Sequence, residues 1–433
     1  MNTHHLRAAC ALGFALVATP AIAAPCDVSG AEPMPAFMPD APITLNEVIG
    51  AVRAVAPEVR MASLEARALD AEALQARRPL NPTLSLEREN FSGQGAFAGL
   101  DQAETTFTLA QTFQLGGKRG LSYRAGRARA QFGAADCAAV LREMELEASL
   151  SFYELAAAVE VAELAENAAA LADEVAAAVA ARVQAGGAAP PELARARADV
   201  AAAQAGALSA EASVVERRYA LAALWGVSEP DFGVPTPKMP ADALTSEGDV
   251  AAIDHPALAR AEAAADARRA EERLARAQAY PDVTVAAGLR RFEATGEDAY
   301  VASVSVPFPL FNRNRDAARA AGLRGDASVA NSAAVSARLL SQQRAAVAAR
   351  NAAQGGLAAL EDDGLPQAES AYAAAVRGYE VGRFDLTTTL DARRALIESR
   401  LAVIDARLAL HAADMRLRSL IGAAPFDGDA FND

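Results

Sequence analysis

Apolar positions along the chain follow two periods, and the periods alternate in the same order twice. From Leu45 to Arg78 they recur at helical spacing, and Pro79 and Pro82 stop the pattern. Thr83–Phe91 and Thr105–Leu115 then alternate with period two, bridged by the Gly-rich loop Ser92–Gly99. In the second of these stretches Phe107, Leu109 and Phe113 share one face, and Thr106, Thr108 and Thr112 the other. Gly120 to Ala185 follows without a proline. As one helix it is about 100 Å long at about 1.5 Å per residue. Leu164, Leu171, Val175, Val179 and Val183 mark its apolar seam. The second cycle alternates at Val283, Val285 and Leu289, then at Tyr300, Val304, Val306 and Phe308. A long helix runs from Arg315 towards Gly382, with a kink expected at Pro366. Leu390, Ile397, Leu401, Ile404, Leu408 and Met415 close it with coiled-coil spacing.

The two cycles read as a tandem duplication. Pro57 and Pro256 lie 199 residues apart, as do Pro82 and Pro281. Phe113-Gln-Leu115 matches Phe308-Pro-Leu310 at 195, and Gly186 matches Gly382, and Gly226 matches Gly422, at 196. The expected organisation is a first repeat over 25–228 with its strand hairpin at 83–115, and a linker over 229–252 that opens with the Pro-rich Glu229–Pro240. A second repeat covers 253–422 with its hairpin at 282–308, and a tail covers 423–433.

Alternation over about ten residues suits a membrane-barrel strand, and equally a half-buried strand of a soluble sheet. The helices separate the two, because helices this long cannot fold onto one compact core and must pack on each other or on other chains. Four strands cannot close a barrel, and an open edge cannot face lipid. If they span a membrane they need copies, and three copies give twelve strands. The expected fold is therefore an α+β membrane protein. A tandem-duplicated, long-helical coiled-coil barrel carries four β-strands per chain into a trimeric, 12-stranded transmembrane β-barrel.

Composition agrees with long helices. Hydrophobic residues make up 52% of the chain but aromatic ones only 5%, and alanine fills the difference. Alanine favours helix and close packing while burying little area. Residues 1–24 read as a signal peptide, with Arg7, the apolar Ala8–Val17 and small residues from Pro20 to Ala24. Charges interrupt every other long apolar run, so no membrane helix is expected. With Cys10 removed by processing, Cys26 and Cys137 remain, and a disulfide between them is permitted in the periplasm. Pro25 does not fit a lipoprotein cleavage site before Cys26. The net charge of −14 and the lack of a basic stripe exclude nucleic acid as a partner. After processing only His255 and His411 remain, His411 on the coiled-coil seam. No His/Cys cluster, P-loop, dinucleotide glycine pattern or nucleophile elbow is present, so neither catalytic residues, nor a cofactor, nor a resident metal site is expected.

Four segments carry a resemblance: Asn81–Phe91, Gln111–Arg119, Phe308–Arg315 and Tyr379–Leu386. Through them the chain resembles the TolC-like outer-membrane efflux family, most of all its cobalt–zinc–cadmium subgroup. The resemblance implies a homotrimer with its barrel in outer-membrane lipid and a helical tunnel in the periplasm. It also implies two partners, a periplasmic membrane-fusion adaptor and a proton-driven inner-membrane resistance-nodulation-division pump. Residue by residue, it assigns adaptor contact to two helix-turn tips, Gly186 and Gly187 in the first half and Val381, Gly382 and Arg383 in the second. It assigns a ring of pore-lining aspartates to Asp391, with Thr388 standing where a second aspartate is expected. Phe107, Leu109, Phe113, Val304 and Val306 are then lipid-facing. Divalent heavy-metal export follows from the resemblance alone. A duct for drugs or other small molecules is the same-fold alternative, and a periplasmic coiled-coil adaptor or tether the alternative of another class.

Overall fold

The computed structural model of the chain describes residues 41–236, 239 and 255–421. The expected signal peptide, the tail 423–433, Gly422 and much of the expected linker lie outside them.

The first helical stretch is two helices, α1 (Leu45–Val55) and α2 (Pro57–Ala76), not one. A capping box starts α1: the Thr44 hydroxyl accepts from the Glu47 N–H at 3.3 Å, and the Glu47 carboxylate accepts from the Thr44 N–H at 2.8 Å. Ala56 leaves the helical region at φ −54°, ψ 126°, because a residue preceding proline is pushed out of it, and Pro57 then opens α2. After α2 come β1 (Thr83–Glu89), β2 (Glu104–Phe113), α3 (Lys118–Gln184) and α4 (Pro190–Ala223). The same order returns in α5 (Pro256–Ala277), β3 (Val283–Phe292), β4 (Asp298–Ser305), α6 (Arg315–Ala359), α7 (Leu365–Glu380) and α8 (Leu386–Ile421).

At 67 residues α3 is the spine, about 100 Å long. It packs along α2, α4, α5, α8 and α1. Its approach to α2 needs glycine: a Cβ on Gly126 would lie 2.8 Å from Ala73 Cα. The expected kink at Pro366 takes a specific form. A π-helical turn over Leu360–Gly364 joins α6 to α7, placing Pro366 in the first turn of α7. Widening the helix there accommodates the missing N–H and the ring that would strike a carbonyl one turn back.

The single apolar seam expected on α8 is two faces. Leu390 packs with Val175, Val179 and Tyr379, and Val403 and Leu410 pack with Leu357 of α6. Ile404 and Met415 join the main core with α1 and the middle of α3, while Leu401 is exposed. A helix wedged between α3 on one side and α6 and α7 on the other buries more than one stripe.

The described start of the linker is packed. Ile43 pairs with Pro235, and Phe232 is buried beside Trp225 with ring centroids 5.5 Å apart. The Arg218 guanidinium donates to the Phe232 carbonyl. A phenylalanine among prolines belongs in the core, and this one ties the chain between halves to the first of them. Cys137 is buried in α3 and held in a disulfide; the Cys26 end of the expected pairing lies outside the described residues.

Candidate functional site: the sheet face and the helical tips

The four strands form one antiparallel sheet in the order β1-β2-β3-β4, so β1 and β4 each leave an edge unpaired among the described residues. Residues paired across antiparallel strands share a face, and the register therefore sorts the side chains. One row reads Leu86, Phe107, Leu289, Tyr300, and the next Leu84, Leu109, Ala287, Ala302. Gln111, Val285 and Val304 follow, then Phe113 with Val283. The opposite face carries Ser85, Thr106, Thr108, Thr112, Thr284 and Ser303. There the Thr112 and Thr284 hydroxyls lie 2.9 Å apart. Arg290 donates to Thr106 Oγ1 at 2.9 Å and pairs with Glu104 at 2.9 Å and Glu89 at 3.1 Å.

The apolar face is uncovered in one chain: Leu84 is 75% exposed, Val304 69% and Phe107 53%. Leu109 and Phe113 are similarly exposed, as is Val306 just past β4. No helix among the described residues is long and apolar enough to cross a membrane.

About 100 Å away along α3 the two tips have the same construction. Gly186 (φ +73°) follows α3, and Gly382 (φ +75°) follows α7. Gly187 N–H donates to the Arg182 carbonyl at 2.8 Å, and Arg383 N–H to the Gly378 carbonyl at 2.8 Å. Both turns need a left-handed residue, which glycine supplies without Cβ strain. Val381 is 70% exposed beside Gly382.

The tips are also clasped together, by residues that local sequence does not signal. Arg182 donates to the Tyr379 carbonyl at 2.7 Å and to the Gly187 carbonyl at 2.9 Å, and its guanidinium sits 4.4 Å from the Tyr379 ring centroid. Arg182 and Tyr379 are 197 positions apart, and only the duplication, by placing tip on tip, gives a hint of them.

Thr388 and Asp391 lie in the first turns of α8, with different surroundings. Asp385 caps the helix, accepting from the Thr388 hydroxyl at 2.6 Å and the Thr388 N–H at 2.8 Å. Those two bonds hold the Asp385 carboxyl below the usual carboxylate range. The Thr388 hydroxyl is thus engaged by the cap. Asp391 is exposed and meets Arg394 at 3.6 Å, a surface contact worth little. Arg393 turns the other way, into the protein, pairing with Asp199 of α4 and donating to the Ala168 carbonyl of α3 at 3.0 Å.

The two histidines are structural. His255 Nδ1 accepts from the Ala257 N–H at 3.1 Å and caps α5; burial, then Arg142, lowers its pKa. His411 is buried and stacks on Tyr153 at 4.5 Å. No group of three or more metal-ligating side chains occurs among the described residues.

Exposed apolar strands with free edges, set on helices far too long for a globule, define a membrane duct and not a soluble module. Residues 48–227 and 249–423 match the outer membrane efflux protein family. The nickel-cobalt-cadmium resistance protein NccC of Alcaligenes xylosoxydans xylosoxydans is 34% identical over 315 residues, 71% of this chain and 69% of that protein. The cobalt-zinc-cadmium resistance protein CzcC of Cupriavidus metallidurans is 29% identical over 385 residues, 86% of this chain and 88% of that one. Among solved structures, the outer membrane protein VceC of Vibrio cholerae superposes with a TM-score of 0.73 at 22% identity, covering 87% of this chain and 96% of that one. The chain belongs to the outer membrane efflux protein family and is an outer membrane efflux channel of TolC-like fold. That membership removes the adaptor or tether alternative.

Proposed function

We propose that this chain is the exit duct of a tripartite, proton-driven efflux system and passes divalent heavy-metal cations. It acts as a homotrimer whose twelve strands close one barrel, with no catalytic chemistry. The two halves, 25–228 and 253–422, are tandem repeats of one hairpin-and-helix unit. The carrying observation is a four-stranded sheet with two free edges and an exposed apolar face on helices of about 100 Å. Edges cannot stay open in hydrocarbon, and chain-to-chain pairing of β1 with β4 removes them. The cargo reading is supported by the metal-resistance names of the relatives at 34% and 29% identity. Phe107, Leu109, Phe113, Val304 and Val306 face lipid in this arrangement.

A strain lacking the chain is expected to become sensitive to nickel, cobalt, zinc or cadmium, and to regain resistance when the gene is restored. Unchanged metal tolerance with a new sensitivity to organic drugs would overturn the cargo and leave the duct. Recovery of the mature chain as a soluble periplasmic monomer, in place of a heat-modifiable trimer in outer-membrane fractions, would overturn the barrel.

The tips Gly186, Gly187, Val381, Gly382 and Arg383 dock a periplasmic membrane-fusion adaptor, which joins the duct to a resistance-nodulation-division pump. Positive φ at Gly382 supports this, since the turn needs glycine, and a Cβ there would meet the Arg182 guanidinium at 3.8 Å, an ordinary contact. Gly382→Trp is expected to leave trimer assembly intact while abolishing export and adaptor cross-linking. Normal export by that variant would give the tip another role.

Asp391 lines the aperture near the tips, and Thr388 stands beside it. Its exposed carboxylate, paired among the described residues with Arg394 at 3.6 Å, supports the assignment. Three copies around an axis concentrate cations in a narrow opening. In single-channel recordings Asp391→Asn is expected to weaken cation selectivity and multivalent block, and Asp391→Arg to push selectivity towards anions. Unchanged selectivity in both variants would leave Asp391 a solvated helix residue.

A further inference from the structure

The end of the sheet next to the helices differs from the rest of its surface. Past β4 the chain turns through Phe308-Pro309-Leu310-Phe311 and enters α6 at Arg315. Phe311 is 96% exposed and Phe308 84%, far beyond what a phenylalanine in water needs. The loop is nevertheless fixed. Asn314 donates to the Ala275 carbonyl at the end of α5 at 2.7 Å, and Arg313 Nε to the Pro309 carbonyl at 3.2 Å. Beside these rings a cavity of about 630 Å³ is lined by Phe311, Arg313, Arg315 and Asp316. Arg313 and Arg315 are exposed and form no ion pair among the described residues.

The first half repeats the arrangement where β2 enters α3. Phe113 and Leu115 are exposed there, and Arg119 is exposed with no ion pair among the described residues, while Lys118 is taken by Asp282 at 2.7 Å. The far end of the same sheet is mixed in charge, with Glu87, Glu89, Glu104 and Asp298 among Arg88, Arg290 and Arg291. Arg313, Arg315 and Arg119 thus stand exposed, with no ion pair among the described residues, where the apolar face meets the helices.

We propose that this edge is a headgroup collar that selects anionic phospholipid in the periplasm-facing leaflet. Phe308, Leu310 and Phe311 continue the apolar face of β4 into the interface, where amphipathic depth suits aromatic rings. Arg313 and Arg315, with Arg119 on the other repeat, stand at the depth of the phosphates. Guanidinium binds phosphate bidentately and keeps its charge at any physiological pH. Acyl chains against the rings and a phosphate against the arginines are the two halves of one lipid, and free phosphate supplies only the second. The collar rests on the barrel reading above and adds to it a lipid preference, seated on these arginines.

The test uses the detergent-purified assembly, reconstituted into nanodiscs of mixed phosphatidylglycerol and phosphatidylcholine. Retained lipids are counted by native mass spectrometry. Phosphatidylglycerol is expected to be enriched around the wild type, and Arg313→Gln with Arg315→Gln to cut the enrichment by about fivefold per arginine. Arg313→Lys with Arg315→Lys keeps the charge and is expected to recover most of it, while Arg197→Gln on α4 changes nothing. The indole of a Phe311→Trp variant is expected to be quenched by lipids brominated near the headgroup. Equal lipid counts in wild type and the glutamine variant overturn the collar, as does displacement of the bound lipid by millimolar inorganic phosphate. Absence of quenching in the Phe311→Trp variant also overturns it, because the ring is then covered by another copy. A protein that fails to enter nanodiscs at all overturns the barrel reading and the collar with it. Entry without lipid preference overturns the collar alone.

Discussion

Asp414→Ala is expected to destabilise each protomer by about 3–5 kcal/mol, the cost of stranding buried charge when one partner is removed. Asp414 is 1% exposed in α8. Arg418 donates to its Oδ2 at 2.8 Å from one turn along the same helix, and Arg350 of α6 faces its Oδ1 at 3.3 Å. The Arg350 contact is Coulombic, since Oδ1 makes no hydrogen bond of proper geometry. Both guanidinium groups are themselves largely covered. The carboxylate is felt as far as Tyr153 of α3, whose phenol is pushed up to about 12, first by burial and then by Asp414. One carboxylate therefore serves two cations and sits where α3, α6 and α8 meet, with His411 stacked on Tyr153 alongside. Its removal leaves two desolvated cations facing each other. Arg394→Ala is the control, because its pair with Asp391 is exposed and is expected to cost under about 1 kcal/mol. Urea unfolding in detergent separates the cases. Equal midpoints for the two variants would mean that water reaches Asp414 and that the cluster is not a buried one.

That cluster also marks the limit of what the sequence conveys. Strand alternation was legible at Phe107, Leu109 and Val304, because period two is a local property and one face of this sheet is mostly apolar. The span of α3 was legible because proline and glycine punctuate the chain at its ends. What was not legible is contact between residues far apart in the chain. Arg182 with Tyr379, Arg393 with Asp199 and Arg350 with Asp414 look in sequence like any charged residues on a helix surface. Each becomes an inward group only when a second helix lies against it. The division of α8 into two buried faces fails for the same reason, since a heptad count assumes one partner and α8 has several. The cap Asp385 was local and available, as an aspartate three residues before Thr388.

Val304→Arg is expected to abolish assembly in the outer membrane. Val304 lies one residue before the end of β4, paired with Val285 of β3 and through it with Gln111 of β2, towards the helix-proximal end of the apolar face. It is 69% exposed in the single chain, so neither the fold of the protomer nor its helical core depends on that side chain. In water an arginine there costs almost nothing. Inside a bilayer it costs about 2–4 kcal/mol per copy at the midplane and less towards the interface that Val304 approaches, and three copies share one barrel. The same substitution one residue away supplies the contrast. Ser303 pairs with Ala286 on the opposite, polar face, and Ser303→Arg is expected to assemble, with its charge in the lumen. The measurement is the fraction of chain recovered as a heat-modifiable oligomer from outer-membrane fractions. Loss with Val304→Arg and retention with Ser303→Arg fixes which face meets lipid. Loss with both means that β4 tolerates no bulk on either side. Retention of Val304→Arg at wild-type levels means that this position does not meet lipid hydrocarbon.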